Sequence, residues 1–398
     1  MRIATAHSYS NALDSLANRQ STLSATQEQM TTGKRVNRAG DDPAAAARAE
    51  RALASERRSV ATQRAVDASN NAMTLTESAL GDAGSLLQQA RDLMVAAGNP
   101  TYSDAERVSV ANQIADLRSQ LLAVANRSDG AGSFLFGGQG ASQAPFADVP
   151  GGVQFQGAAG STQSASADAL PLTADGQSTW LQARTGNGVF TTQAITSTGS
   201  AWIDTGAVTN PAAITGATYD IQFSVGGAGT TYSVLKNGLP TALTAMPFTP
   251  GQAVQIDGMS TTIKGAPANG DAFRLAPSTA TLSVFDALDQ AVTNLKTPSR
   301  TGTQVAQSNV IDLNNVDTTM NQLINARSQI GATMNRIDSV TERLSALKLS
   351  SQTERSHAED LDMTQAISDF SNQQTGYDAA LKAYSMVQRL SLFNYLNT

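Results

Sequence analysis

Residues 30–53 read MTTGKRVNRAGDDPAAAARAERAL and give the backbone two opposed instructions. The chain has helix-forming composition up to Met30 and again from Pro43 onward. Gly33 stands just past the Met30 turn, where a helix C-terminus calls for a residue free to adopt positive φ. Asp42 is placed as an N-cap, with Pro43 at the first helical position, where a missing N–H is no loss. Asp41 adds a carboxylate near the positive end of the new helix. Side chains adjacent in sequence do not converge on one point, so the two acids read as caps rather than as a metal site or a catalytic dyad. Gly33, Asp41, Asp42 and Pro43 therefore predict a hinge between two helical layers.

Heptads extend outward from this hinge. On its N-terminal side Leu13, Leu16, Gln20, Leu23, Gln27 and Met30 alternate steps of three and four, an a/d seam with polar interruptions. On the other side Val66, Met73, Leu80, Leu87 and Met94 recur every seven residues, with Ser69, Thr76, Ala83, Ala90 and Ala97 as small companions. Gly98-Asn99-Pro100 ends that helix, with Gly98 read as the C′ glycine. Ser103 and Glu106 form a capping box for a third helix with seam Val110, Ile114, Leu117, Leu121 and Val124. Further on, Leu282 to Leu295 give a fourth helix and Val316 to Leu344 a fifth, with Arg327 and Lys348 at seam positions as register-setters or inter-subunit partners. The final stretch carries Met363, Ile367, Phe370, Gln374, Tyr377, Leu381 and Tyr384 at the same spacing.

Between the flanks the composition changes. Residues 141–279 hold 18 of the 31 glycines, 9 of the 12 prolines and none of the glutamates, which points to a β-rich domain inserted into a helical one. YDIQFSVGG (219–227) and TYSVL (231–235) alternate with period two, and QAVQIDGMSTTIKG (252–265) pairs two strand-like runs at Asp257-Gly258, a strong hairpin signal. The fold expected is mainly α: a long antiparallel helical rod or coiled-coil bundle from the two flanks, plus a small β-sandwich or barrel insert.

The same residues carry a resemblance. TTGKRVNRAGDDPAAAARAE (31–50) is similar to the N-terminal motif of the flagellin superfamily, a Gly-x-Arg-Val-type turn and an Asp-Asp-Pro-Ala block before a long helix. MRIATAHSYSNALDSLANRQSTLSATQEQM (1–30), SDAERVSVANQIADLRSQLLAVANRSDGAGSFLFGG (103–138) and APF (144–146) resemble the same family. So does RSHAEDLDMTQAISDFSNQQTGYDAALKAYSMVQRLSLFNYL (355–396) at the far end. The resemblance covers the flanks and leaves the insert aside.

It implies three regions: 1–34 with 355–398 as terminal coiled-coil segments of an inner tube, 44–140 with 280–350 as a rod bundle, and 141–279 as an exposed insert. It implies a structural subunit of the bacterial flagellum at the hook–filament junction. The partners expected are hook-associated protein 1, flagellin, further copies in a ring, and an export chaperone on the C-terminal helix. Leu13, Leu16, Leu23, Met30, Ile367, Phe370, Tyr377, Leu381 and Tyr384 are the expected assembly seam. Because Gln20, Gln27 and Gln374 interrupt it, both ends are expected to order only on assembly. The alternatives are a flagellin filament subunit and, from another class, a secreted coiled-coil adhesin or needle-complex component.

Composition narrows the remaining classes. A net charge of −6 gives no electrostatic footprint for nucleic acid or an anionic membrane surface. No stretch approaches 18 apolar residues, so no membrane span is expected. The first twenty residues lack an apolar core, so export to the cell exterior without a cleaved signal peptide is expected. There is no cysteine, which removes disulfides and thiolate chemistry and suits a protein outside the cell. His7 and His357 are the only histidines and read as solvated. FGGQG (136–140) and VGGAG (225–229) read as turns, and TTGKR (31–35) resembles a phosphate loop only superficially, since Glu28 occupies the place of its first glycine. With no zinc or calcium spacing and no nucleophile–base pair, no metal, cofactor or enzymatic activity is expected.

Overall fold

In the computed structural model the described residues are 2–141, 143–164, 168–227 and 229–396, without the side chains of 2–6, 8 and 387–396. Seven α-helices are described: α1 (Arg2–Thr32), α2 (Pro43–Ala97), α3 (Asp104–Ala125), α4 (Gly176–Trp180), α5 (Val284–Lys296), α6 (Gly302–Glu359) and α7 (Met363–Leu396). At 1.5 Å per residue α2 and α6 are each roughly 80–90 Å long. The chain divides into two compact units, Met1–Arg64 with Thr341–Thr398, and Ala65–Val340. The long helices α2 and α6 each run from one unit into the other. Helix α6 passes without a break through 350–355, where a regional boundary was expected.

In the larger unit the heptads of α2 are a packed core. Val66, Met73, Leu80, Leu87 and Met94 are at most 2% exposed, and Ser69, Thr76, Ala83, Ala90 and Ala97 are fully buried. Helix α3 contributes Val110, Ile114, Leu117, Leu121 and Val124, helix α5 Phe285 and Leu288, and helix α6 Val316, Leu323, Ile330 and Ile337. The capping box forms as expected: Ser103 N donates to Glu106 Oε2 at 2.7 Å and Glu106 N to Ser103 Oγ at 3.3 Å. Gly98 is a different case, since its φ is not positive. A Cβ there would lie 2.3 Å from Asn309 Nδ2, so a side chain at this position would require the Asn309 amide to move. Arg327 leaves the seam to pair with Glu77, Nε to Oε1 at 2.7 Å.

The same end of the bundle holds a buried carboxylate. Asp312 is 3% exposed and accepts hydrogen bonds from Asn294 Nδ2 at both oxygens, at 3.0 and 2.8 Å. Burial pushes its pKa up to about 6, against the smaller opposing effects of Asn294 and Arg300.

Among the described residues the insert has twelve strands. β1 (Phe146–Val149) and β2 (Gly152–Phe155) form a hairpin. Beyond α4 come β3 (Phe190–Thr196), β4 (Trp202–Ile203), β5 (Ala207–Val208), β6 (Tyr219–Gly226), β7 (Gly229–Lys236) and β8 (Leu239–Pro240). They are followed by β9 (Met246–Pro247), β10 (Ala253–Ile256), β11 (Met259–Lys264) and β12 (Ala272–Pro277). A six-stranded antiparallel sheet runs β3-β12-β6-β7-β8, with β9 also on β7, and a four-stranded one runs β10-β11-β4, with β5 also on β11. Tyr219, Ile221, Phe223, Phe273 and Leu275 of the first face Ile203, Val254, Ile256, Met259 and Ile263 of the second, so the insert is a sandwich. Asp257 (φ 40°) and Gly258 (φ 80°) make the two-residue turn between β10 and β11, with Ile256 opposite Met259.

The sandwich core begins at Phe190. Residues before it pack on the helices instead. Trp180 stacks on Phe285 of α5 at 6.0 Å, with Phe146 and Phe136 set edge-on to the indole. Asn126, at the C-cap of α3, exchanges two 2.9 Å hydrogen bonds with the Phe146 backbone, and Arg118 of α3 pairs with both Asp148 and Asp289.

Candidate functional site at the paired helix breaks

Two helix breaks lie side by side in the smaller unit. The first is the expected one. Gly33 has φ +69° and no atom within 4 Å of where a Cβ would stand, so backbone conformation alone selects glycine. Asp42 Oδ1 accepts from Ala44 N at 3.1 Å and Ala45 N at 3.0 Å, capping α2 ahead of Pro43. The Ala45 amide, and then Arg35, hold the Asp42 carboxyl below the usual carboxylate range. Asp41 does not serve the helix end. Its Oδ2 accepts from Asn37 N at 3.0 Å and Arg38 N at 2.8 Å, closing the loop on itself, because an acid one residue before the cap points back along the turn.

The second break, Asp360–Asp362, was not anticipated. Asp362 Oδ1 accepts from Thr364 N and Gln365 N at 3.0 and 3.1 Å, capping α7. The signal was present in the sequence: Asp362 with Gln365 three residues on is an N-terminal signature of the same kind as Ser103 with Glu106. The two breaks are joined by backbone. Arg35 N donates to Glu359 O at 2.7 Å, Leu361 N donates to Gly33 O at 3.0 Å, and Lys34 and Asp360 form an antiparallel bridge. Ion pairs surround the joint: Lys34–Glu359 at 3.1 Å, Arg355–Glu56 at 3.0 Å, Arg35–Asp42 at 3.1 Å and Arg38–Glu28 at 3.0 Å. Arg35 Nη2 also donates to Ala358 O at 2.9 Å.

Beyond the joint α1 and α7 pack as a pair. Their inner rows are Ala12, Leu16, Leu23, Thr26 and Met30 on α1, and Ala366, Phe370, Gln373, Tyr377, Ala380 and Tyr384 on α7. Only Thr26 and Ala366 of these are fully buried. Thr26 Oγ1 donates to Gln373 Oε1 at 2.9 Å, and the rings of Tyr9 and Tyr384 lie 5.6 Å apart. The pair thus brings together six of the nine expected seam residues: Leu16, Leu23, Met30, Phe370, Tyr377 and Tyr384. It leaves out Leu13, Ile367 and Leu381, which are 43, 54 and 41% exposed. Met363 (44%), Ile367 and Leu381 recur at helical spacing on α7 outside that contact, and Leu13 is exposed on α1. On α7 Ile367 and Leu381 stand one position after the buried Ala366 and the half-buried Ala380, so heptad spacing alone does not separate the two sets.

His7, His357 and Lys348 are exposed. No group of three or more His, Asp or Glu side chains among the described residues could hold a metal ion. No described helix is long and apolar enough to cross a membrane. The geometry offers a backbone-bridged pair of helix breaks and a set of exposed apolar side chains on the adjoining helices.

Comparison with known proteins agrees with that character. Residues 3–141 match the family model of the bacterial flagellin N-terminal helical region and residues 313–396 that of the flagellin C-terminal helical region. The chain is 25% identical to flagellar hook-associated protein 3 of Escherichia coli strain K12 over 397 residues, 99% of both chains. Among solved structures, FlgL of Xanthomonas campestris superposes with a TM-score of 0.69 at 26% identity, over 77% of this chain and 99% of that one. Flagellar hook-associated protein 3 of Legionella pneumophila also gives 0.69, at 25% identity, over 73% of this chain and 93% of that one. The chain is a member of the flagellin superfamily, a structural component of the flagellum similar along its whole length to flagellar hook-associated protein 3.

Proposed function

We propose that this chain is the hook–filament junction subunit, joining hook-associated protein 1 on one side to flagellin on the other. The observation carrying this reading is the end-to-end similarity to flagellar hook-associated protein 3, which extends across the insert as well as the flanks. In this reading copies assemble in a ring. The terminal pair of 1–34 and 355–398 lines an inner tube, the helices of 44–140 and 280–350 form a rod layer around it, and 141–279 is exposed outside. The joint formed by Gly33, Asp42, Pro43 and the facing Asp360–Asp362 carries both chain crossings between the layers. Subunits are exported through the flagellar type III channel, with a chaperone holding the C-terminal helix. The role is structural and not enzymatic.

The outward row of Leu13, Met363, Ile367 and Leu381 supports an assembly function, since apolar side chains in line on one helix pair gain by burial against neighbours. Replacing both Leu381 and Tyr384 with alanine is expected to abolish incorporation into flagella while leaving the larger unit folded. Incorporation at the normal level would count against the seam. The function itself is tested by immunogold electron microscopy of whole cells with antibody against residues 141–279. A single narrow band between hook and filament is expected. Label along the whole filament would make the chain a flagellin, and label away from flagella would remove the reading altogether.

A further inference from the structure

Charge is distributed unevenly along this acidic chain. Residues 1–64 hold ten Arg and Lys against six Asp and Glu, whereas residues 65–340 hold twelve against twenty. Within 1–64 the excess reaches the surface of α2. Leu53 and Val60, seven residues apart, lie beside Arg57 and Arg64, also seven apart, in a shallow groove of about 330 Å³ that Glu56 and Arg355, paired with each other at 3.0 Å, complete. Arg57 and Arg64 are exposed, and neither has a hydrogen-bond or ion-pair partner among the described residues. Val60 is 36% exposed, a β-branched apolar side chain left in water between two cations.

The larger unit carries a groove of the opposite character. Between α2 and α3, Leu93 and Leu117 make an apolar floor with Asp92, Asp116 and Gln113 around it, in a volume of about 480 Å³. Asp92 and Asp116 are both exposed. Asp116 has no partner among the described residues, and Asp92 accepts only from Gln88 one turn away.

We infer that these two surfaces are the halves of one contact between copies of this chain, the Arg57–Val60–Arg64 face of one copy seated in the Asp92–Asp116 groove of the next. Each surface offers what the other lacks: two unpaired guanidiniums flanking an apolar row, and two available carboxylates flanking an apolar floor. Arginine suits such a contact because its fork pairs with carboxylates in fixed geometry while its stem covers apolar surface. The two patches are different, so the contact is heterologous. It propagates head to tail and closes into a ring or continues as a helix according to the rotation between copies. The inference rests on the proposed assembly function and names the surfaces that serve it.

The chain has no cysteine, so Val60→Cys with Gln113→Cys introduces the only two thiols, one on each surface. Mild oxidation of that purified full-length variant is expected to give a ladder of disulfide-linked multimers, while each single variant alone gives none. Adding Arg57→Glu and Arg64→Glu is expected to slow ladder formation by about tenfold, because two attractions become repulsions. Asp92→Lys with Asp116→Lys should do the same. Combining all four reversals should restore the ladder, and circular dichroism should be unchanged throughout, since every altered residue is exposed. Absence of a ladder, a ladder indifferent to charge reversal, or failure of the combined variant to recover would each overturn the contact. The result is separable from the junction reading: a chain that labels the hook–filament boundary yet gives no charge-sensitive ladder keeps its function and loses this surface. A charge-sensitive ladder from a chain that labels the whole filament does the reverse.

Discussion

Helices α2 and α1 have heptads of the same spacing, yet the side chains on them meet different environments. Along α2 in the larger unit ten successive seam side chains, Val66 to Ala97, are at most 2% exposed. Along α1 the only fully buried side chain described is a threonine, and its partner across the pair is a glutamine. At roughly 25 cal/mol per Å² of apolar surface the first arrangement supports a folded core, whereas the second barely offsets the ordering of two long helices. A heptad states that a helix has partners; it does not state that they lie in the same chain. The α1–α7 pair has an inner row that is mostly only half-buried and leaves Leu13, Met363, Ile367 and Leu381 exposed, side chains that the proposed assembly would cover.

The largest test of this contrast is a pair of truncations. Ile114→Ala in the bundle removes a fully buried side chain and is expected to cost about 2–5 kcal/mol in denaturant unfolding of the full chain. Leu23→Ala in the terminal pair should cost about 0.5–1 kcal/mol or less, since that side chain is only half-buried. Equal losses would break the contrast.

A second test concerns pH. The folded pKa of Asp312 is raised from 3.8 to about 6, so the native state holds its proton more tightly than the unfolded chain does. Its contribution is present in full below the unfolded pKa and is lost as pH rises through about 6. The bundle should therefore gain up to about 3 kcal/mol between pH 7.5 and pH 4 from this group. Asp312→Asn should flatten that segment of the profile, as read by urea midpoints across the range. A profile that keeps its slope in the variant would assign the proton uptake elsewhere.

The smallest effect is expected at the joint. Asp42→Ala removes the acceptor for the Ala44 and Ala45 amides. Faster exchange of those amides is expected, with no change in the unfolding midpoint of the larger unit. The same loosening should appear in the unaltered chain on acidification below the ordinary carboxylate range, because the depressed pKa of Asp42 keeps the cap until then. A shifted midpoint would mean that the joint holds the bundle as well.

Much of this molecule was legible in its sequence, and the reasons differ by region. The bundle was readable because strict seven-residue recurrence and local caps such as Ser103–Glu106 are set within a few residues. The Asp257-Gly258 hairpin was readable for the same reason, since two successive positive φ values select the dipeptide. Three features were not. The close approach at Gly98 comes from the side chain of Asn309, over two hundred residues away. The segment around Phe146 and Trp180 has the composition of the insert but packs on Phe285 of α5, a long-range choice invisible to composition. The terminal helices carry apolar side chains at adjacent positions, and periodicity alone does not divide the expected assembly seam into the half-buried Leu16, Leu23, Met30, Phe370, Tyr377 and Tyr384 and the exposed Leu13, Ile367 and Leu381. In the joint, Asp362 carried a readable cap signal, whereas the donation from Leu361 N to Gly33 O is a backbone contact that no local pattern encodes.

The most direct test of the central claim is amide hydrogen exchange on the full-length protein, first as a monomer and then in assembled flagella. The account predicts fast exchange at 9–32 and 363–386 in the monomer, slow exchange at 69–97 and 110–125 in both states, and protection of the terminal segments only after assembly. Terminal helices as protected in the monomer as the bundle would contradict it.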